Sequence, residues 1–309
     1  MTKVAVIGAG LIGRAWAIVF ARAGFEVALW DSAPEASDAA LRFIAERLPE
    51  LRAAKLLPDR VETVLDRIAP CPTLEAALAD AIYVQESGPE QVEAKRDLFA
   101  ALDRLAPPDA ILASSTSGIP ASEFTGNLRG RERCLVAHPV NPPYLAPVVE
   151  LCPAPWTSEA TMQRAKALMI EAGQVPAVLT REIQGFVLNR LQIALVSEAF
   201  RLIDAGIVSM ADLDATVKHG LGLRWSFMGP FETIDLNAPE GLADYCARYG
   251  QFYADLQQQM PPHEWTPELV AQLDAARRAA LPAEALGGRT EWRDRRLMGL
   301  LAHQANEPD

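Results

Sequence analysis

Val4-Ala-Val-Ile-Gly8-Ala-Gly10-Leu-Ile-Gly13 is the stretch from which the fold is read. Four apolar residues running into glycine predict a buried strand, and Ile12 to Ala23 predicts a helix of small and apolar residues. Gly8 permits a tight turn, Gly10 lets the backbone approach a pyrophosphate, and Gly13 allows close packing of helix on strand. The amides of Leu11 and Ile12 open the helix, so an anion there meets N–H groups and partial positive charge. The glycine pattern is weak alone. A strand directly before it and a helix directly after it make it specific.

A second strand, Phe25 to Trp30, ends at Asp31, eighteen residues after Gly13. A carboxylate there can accept the ribose hydroxyls of adenosine and would repel a 2′-phosphate. FAD uses the same glycine pattern, but no second FAD motif follows, so the expected cofactor is NAD.

Outward from this unit, apolar runs alternate with helical patterns. Further strands are expected at Ala81 to Gln85, Ala110 to Ser114, Cys134 to His138, Val148 to Cys152 and Val175 to Leu179. A long amphipathic helix, Pro34 to Leu57, is expected to break once, at Pro49, and another helix spans Glu90 to Leu105. After Glu182 the strand signal stops. Gly185 to Ala205, Met210 to Leu221, Pro239 to Gln259 and Thr266 to Ala279 read as helices. The expected architecture is α/β: a Rossmann-type, doubly wound, mostly parallel sheet over residues 1–183, then an all-α domain over 184–309 for substrate and dimerisation.

The chain has 309 residues, half of them hydrophobic, and a formal charge of −11 from 29 Lys plus Arg against 40 Asp plus Glu. That balance argues against a nucleic-acid partner, which would need clustered cations. No apolar run reaches the roughly 18 residues of a membrane span. Cys71, Cys134, Cys152 and Cys246 form no CxxC pair, so no metal is expected and the thiols read as reduced, in a cytoplasmic protein.

Three polar stretches interrupt this apolar pattern. Ser114-Ser-Thr-Ser-Gly118 and His138-Pro-Val-Asn141-Pro each follow a strand, at the sheet edge where open α/β folds bind ligands. Glu150 lies inside the apolar run Val148 to Cys152, where a carboxylate needs a partner such as histidine. With Gly185-Phe-Val-Leu-Asn189-Arg190, this set resembles the L-3-hydroxyacyl-CoA dehydrogenase superfamily. The strings Ala137 to Tyr144, Gly185 to Gln192 and Gly220 to Pro230 are most similar to its lambda-crystallin/L-gulonate 3-dehydrogenase group.

The resemblance implies a role for each residue. His138 would be the general base for the 3-hydroxyl proton, with Glu150 fixing its tautomer. Ser117, twenty-one residues before His138, and Asn189 would bind the substrate oxygen. Ser117, Asn141, Glu90 and Lys95 would lie at the nicotinamide end of NAD. Each residue also has a bland reading: a satisfied strand-end histidine, a solvated carboxylate, a helix-start asparagine, hydroxyls capping a turn. Together, in family order, the four read as a site.

Two substrate classes fit, a CoA thioester and a free 3-hydroxy acid. Relatives acting on acyl-CoA carry a lysine-rich tail after the second strand. Here Arg42, Arg47, Arg52, Lys55, Arg60 and Arg67 alternate with Glu46, Glu50, Asp59, Glu62 and Asp66, which reads as a solvated face with pairs such as Arg42–Glu46. Arg224 suits a substrate carboxylate, or else a surface or interface salt bridge. A free acid similar to L-gulonate is therefore the expected substrate. The same fold also serves as a bulk crystallin, and an NAD-binding sensor is a further non-enzyme reading. The resemblance implies a homodimer.

Overall fold

The computed structural model describes residues 2–307. Its eight strands are β1 (Lys3–Ile7), β2 (Glu26–Trp30), β3 (Ile68–Pro70), β4 (Tyr83–Glu86), β5 (Ile111–Ser114), β6 (Cys134–Pro139), β7 (Val148–Pro153) and β8 (Val175–Val178). They form one sheet in the order β3-β2-β1-β4-β5-β6-β7-β8, parallel except where β6 meets β7. The chain leaves β1 toward β2 and β3, then returns on the other side to β4. The crevice beyond the carboxyl ends of β1 and β4 is thus the topological switch point, where such sheets take their ligands.

Strand periodicity divides the core between the two faces. Val4 and Val6 pack with α1 (Leu11–Arg22) and α2 (Pro34–Ala53), burying Trp16, Phe20, Ile44 and Leu48. Ala5 and Ile7 face the other way, onto a cluster containing Val84, Phe99 of the helix Val92–Leu105, and Phe124. Both faces are covered, so the strands read as continuous apolar runs.

Several features differ from the sequence-based expectation. The expected break at Pro49 does not occur: α2 runs unbroken through it. Proline there forfeits one ladder hydrogen bond, and the buried Ile44, Leu48 and Leu51 hold the helix on both sides of the gap. β3 was not anticipated, because three residues ending in proline carry no readable alternation. A helix at Glu159–Glu171 was also not anticipated, although Ser158 caps it by accepting from the Thr161 amide at 3.1 Å.

The chain divides into two compact units, one ending at Leu188 but including the residues from Trp292 on, the other Asn189–Glu291. The returning segment belongs to a helix, Leu286–Gln304, that sequence reading did not foresee. Met298 enters the first unit's core, and buried Asp294 lies 3.5 Å from the Tyr144 hydroxyl. The second unit is entirely helical and includes Met210–Thr216, Leu242–Gln258 and Pro267–Ala280. Ser209 and Thr266 cap two of these helices through the amides of Asp212 and Leu269. No helix among the described residues is long and apolar enough to cross a membrane.

Candidate active site

The glycine loop is built as its three positions require. Gly8 sits at φ +97°, and a Cβ on it would lie 2.6 Å from the Ser87 carbonyl oxygen. A Cβ on Gly13 would lie 1.7 Å from the Gly8 oxygen, so these two glycines are demanded by the protein's own packing. Gly10 is different: a Cβ there would meet open space. The backbone is open there, as a close approach by a pyrophosphate would require. Beyond it α1 begins at Leu11 and Ile12 with no side-chain cap and no acidic residue in its first turn. That leaves its amides for an anion.

Asp31 stands at the end of β2. Its Oδ2 accepts from the Ala9 amide at 2.7 Å and its Oδ1 from the Ala33 amide at 2.9 Å. The carboxylate thus ties the glycine loop to β2, and its remaining lone pairs can take ribose hydroxyls. Backbone, helix terminus and acid fit NAD.

A second layer lies beyond β4 and β5. Glu90 Oε1 accepts from the Thr116 hydroxyl at 2.6 Å, the Ser117 amide at 2.9 Å, the Ser117 hydroxyl at 3.2 Å and the Gly118 amide at 3.1 Å. Partial burial would raise the pKa of Glu90. The Thr116 hydroxyl, the Lys95 ammonium and the two amides outweigh it and hold the carboxyl below its ordinary value. Ser117 is therefore presented on an anchored loop.

Lys95 is not a surface group reaching outward. It is 1% exposed, with Nζ 3.0 Å from both oxygens of the fully buried Glu86 and 3.8 Å from Glu90. It acts on the loop through carboxylates. Glu86, which also accepts from the Ser114 hydroxyl and the Gly88 amide, escaped the sequence reading. The available signal was a glutamate closing an apolar strand nine residues before a lysine in a helix.

His138 and Glu150 face each other across the one antiparallel pairing, in register, with Nδ1 2.9 Å from Oε2. Both are buried, and the His138 ring lies 5.3 Å from the ring of Phe186. The other carboxylate oxygen accepts from the amides of Val187 at 2.7 Å and Leu188 at 2.9 Å. Burial pushes the Glu150 pKa up, but the histidine and the two amides more than reverse this, leaving it lowered. An ionised carboxylate requires Nδ1 to carry its proton, which puts the imidazole lone pair on Nε2. Gly185 and Phe186 reach this turn with φ of +76° and +51°.

Asn141 is exposed in the loop after β6. Gly8, Gly10, Asp31, Glu90, Ser117, His138 and Asn141 thus follow, or close, the carboxyl ends of parallel strands in the first unit, with Glu150 beside them on β7. Asn189 and Arg224 belong to the second unit. Asn189 stands in the first turn of the helix Leu188–Asp204. Arg224 is exposed in the short helix Gly222–Trp225.

The basic residues of the 40–68 stretch are largely engaged. Arg47 pairs with Glu50, Arg60 with Glu62 at 3.4 Å and Arg67 with Asp59 at 2.6 Å. Arg52 donates to the carbonyls of Leu57 and Pro58. The expected Arg42–Glu46 pair is not formed: both side chains lie in solvent, where such a contact gains little.

Residues 3–183 match the NAD binding domain of 3-hydroxyacyl-CoA dehydrogenase, and residues 185–280 match its C-terminal domain. The chain is 45% identical over 308 residues to a lambda-crystallin homolog of Bos taurus, covering 97% of this chain and 96% of that protein. It is 41% identical over 239 residues to an L-carnitine dehydrogenase of Streptomyces griseus, covering 77% and 70%. Among solved structures, 5-formyl-3-hydroxy-2-methylpyridine 4-carboxylic acid 5-dehydrogenase, an NAD+-dependent dismutase, is similar with a TM-score of 0.84 at 26% identity, over 97% of both chains. The chain belongs to the 3-hydroxyacyl-CoA dehydrogenase family and is an NAD-dependent oxidoreductase acting on CH–OH groups.

Proposed function

We propose that the protein oxidises the 3-hydroxyl of a small free 3-hydroxy acid, of the L-gulonate kind, to the 3-keto acid. The observation that carries the chemistry is the buried His138–Glu150 pair, in which Nδ1 is engaged by the carboxylate and the imidazole lone pair is left on Nε2. Bound NAD supplies the hydride acceptor. His138 takes the hydroxyl proton on Nε2 as hydride leaves the carbon, and Glu150 stabilises the imidazolium that forms. Ser117 is assigned to the substrate oxygen, its single hydroxyl proton turning from Glu90 to that oxygen when substrate binds, and Asn189 is assigned to the same oxygen from its motif. Asn141 supports the nicotinamide end, and Lys95 holds Glu90 in place there.

The free-acid reading rests on two supports. The arginines that would make a CoA phosphate clamp are mostly occupied within the chain, and a relative at 41% identity is named for L-carnitine, itself a 3-hydroxy acid. We assign Arg224 to the substrate carboxylate, through the two-pronged geometry of guanidinium. The competing reading, an acyl-CoA substrate, is favoured by the family's name and by relatives named for that activity, such as a 3-hydroxyacyl-CoA dehydrogenase of Gibberella moniliformis at 36% identity over 308 residues.

A panel of L-gulonate, L-carnitine, 3-hydroxybutyrate and 3-hydroxybutyryl-CoA, each with NAD, tests the proposal by the rate of NADH formation. A free acid is expected to give the highest kcat/KM, and Arg224→Leu to lower that value about 10- to 100-fold while leaving NADH affinity alone. Preference for the thioester, or an unchanged kcat/KM in the variant, would overturn it.

A further inference from the structure

Ser87 follows β4 and stands against the glycine loop. Its amide donates to the Ile7 carbonyl at 2.7 Å, and its own carbonyl occupies the space a Gly8 side chain would need. Its hydroxyl lies 2.9 Å from the hydroxyl of Ser115, a geometry that leaves either oxygen free to donate. The surrounding hydrogen bonds remove that freedom.

The Ser115 oxygen receives two N–H groups, from Trp16 Nε1 at 3.1 Å and Gln85 Nε2 at 2.7 Å. Indole nitrogen is a donor only. The Gln85 amide cannot be reversed, because its nitrogen also meets the Ala137 carbonyl at 3.3 Å, and a carbonyl only accepts. Its oxygen is in turn occupied by the Tyr83 hydroxyl at 2.7 Å. Trp16, Tyr83 and Gln85 are fully buried, so the arrangement is fixed by packing. Two donors fill both lone pairs of the Ser115 oxygen, and its single proton must go to Ser87.

Ser87 therefore accepts from the protein and has a proton left to give. Among the described residues no acceptor other than Ser115 lies within hydrogen-bond reach of it. The residue is half-buried at the carboxyl edge of β4, beside the loop where Gly10 faces open space. A polarised chain running from the core ends in a donor at the cofactor crevice.

We propose that the Ser87 hydroxyl is a cofactor-binding group, donating a hydrogen bond to an oxygen of the pyrophosphate–ribose segment of the bound dinucleotide. The glycine loop that Ser87 abuts is the element shaped for that segment. A ligand oxygen here gains a donor already oriented by three buried side chains, with little ordering left to do on binding.

Ser87→Ala tests the assignment by titration of the apo protein with NADH, followed by fluorescence, and by displacement of NADH with ADP-ribose. ADP-ribose keeps the pyrophosphate and both riboses but lacks the nicotinamide. The dissociation constants of both ligands are expected to rise about three- to tenfold, as for loss of one neutral hydrogen bond. The unfolding midpoint of the apo variant, measured in parallel, is expected to match wild type. NADH affinity within twofold of wild type would overturn the proposal. So would a loss seen with NADH but absent with ADP-ribose, which would move the acceptor to the nicotinamide end.

Discussion

The first unit buries whole strands and both faces of its sheet, whereas the second leaves almost everything in contact with solvent. Among the described residues of Asn189–Glu291, only Thr233, Leu269 and Leu273 are buried, while Leu191, Leu223, Phe227, Phe231 and Leu236 each expose more than 60% of their area. In the first unit even charged groups are enclosed, as Glu86, Lys95, His138 and Glu150 show. The contrast separates two tasks. Precise chemistry needs groups whose protonation and direction are set by dry surroundings, and the first unit supplies these from its own chain. A helical unit with so little buried apolar surface needs further surface to cover it.

The largest expected effect falls on the enclosed side of that comparison. His138→Gln removes the proposed base while leaving the glycine loop and Asp31 intact. Turnover is expected to fall at least about 10³-fold, with NADH still bound at wild-type affinity by fluorescence titration. Glu150→Gln removes the carboxylate that sets the tautomer and is expected to cost about 10²- to 10⁴-fold in kcat. Turnover near wild type in the His138 variant would show that burial of the pair serves packing and not chemistry.

A smaller effect is expected on the exposed side. We propose that a second copy of the chain covers the apolar surface of the second unit. Sedimentation at micromolar concentration is then expected to give about twice the chain mass of 33.6 kDa. Phe231→Glu, at a position 74% exposed in the single chain, is expected to shift the mass toward one copy. A wild-type protein that sediments as one copy would break the comparison, since the second unit would then tolerate its exposure alone.

The same contrast governs what was legible in the sequence. The strand, glycine loop and helix at residues 4–23 were readable because local periodicity and turn chemistry coincide there. His138 and Glu150 were readable as partners because a polar residue in each of two apolar strands has few ways to be satisfied. Glu86 and Lys95 were not, since a glutamate ending a strand and a lysine in an amphipathic helix both imitate surface residues. Their burial depends on each finding the other. The return of the chain after Trp292 was hidden for a similar reason, because Arg293-Asp-Arg-Arg296 reads as a solvated face although Asp294 is buried among the first unit's side chains.

The smallest expected effect concerns the carboxylates that hold this enclosed arrangement. Glu90 and Glu150 both have pKa values below their ordinary 4.5, so each is more acidic folded than unfolded. Between the two values the unfolded chain binds more protons, and stability there rises with pH. Their contribution is full above the ordinary carboxylate range and is lost as pH falls through the folded values. Urea midpoints of the wild type are expected to drop on acidification from about pH 5. In Glu150→Gln the dependence flattens, by at most about 1.4 kcal/mol per pH unit for the one proton removed. The neutral-pH midpoint also falls, because the amides of Val187 and Leu188 and the His138 Nδ1–H lose an anionic acceptor. An acid limb as steep in the variant as in the wild type would mean that Glu150 is as easily protonated folded as unfolded. The pair with His138 would then lack the fixed charge on which the tautomer argument depends.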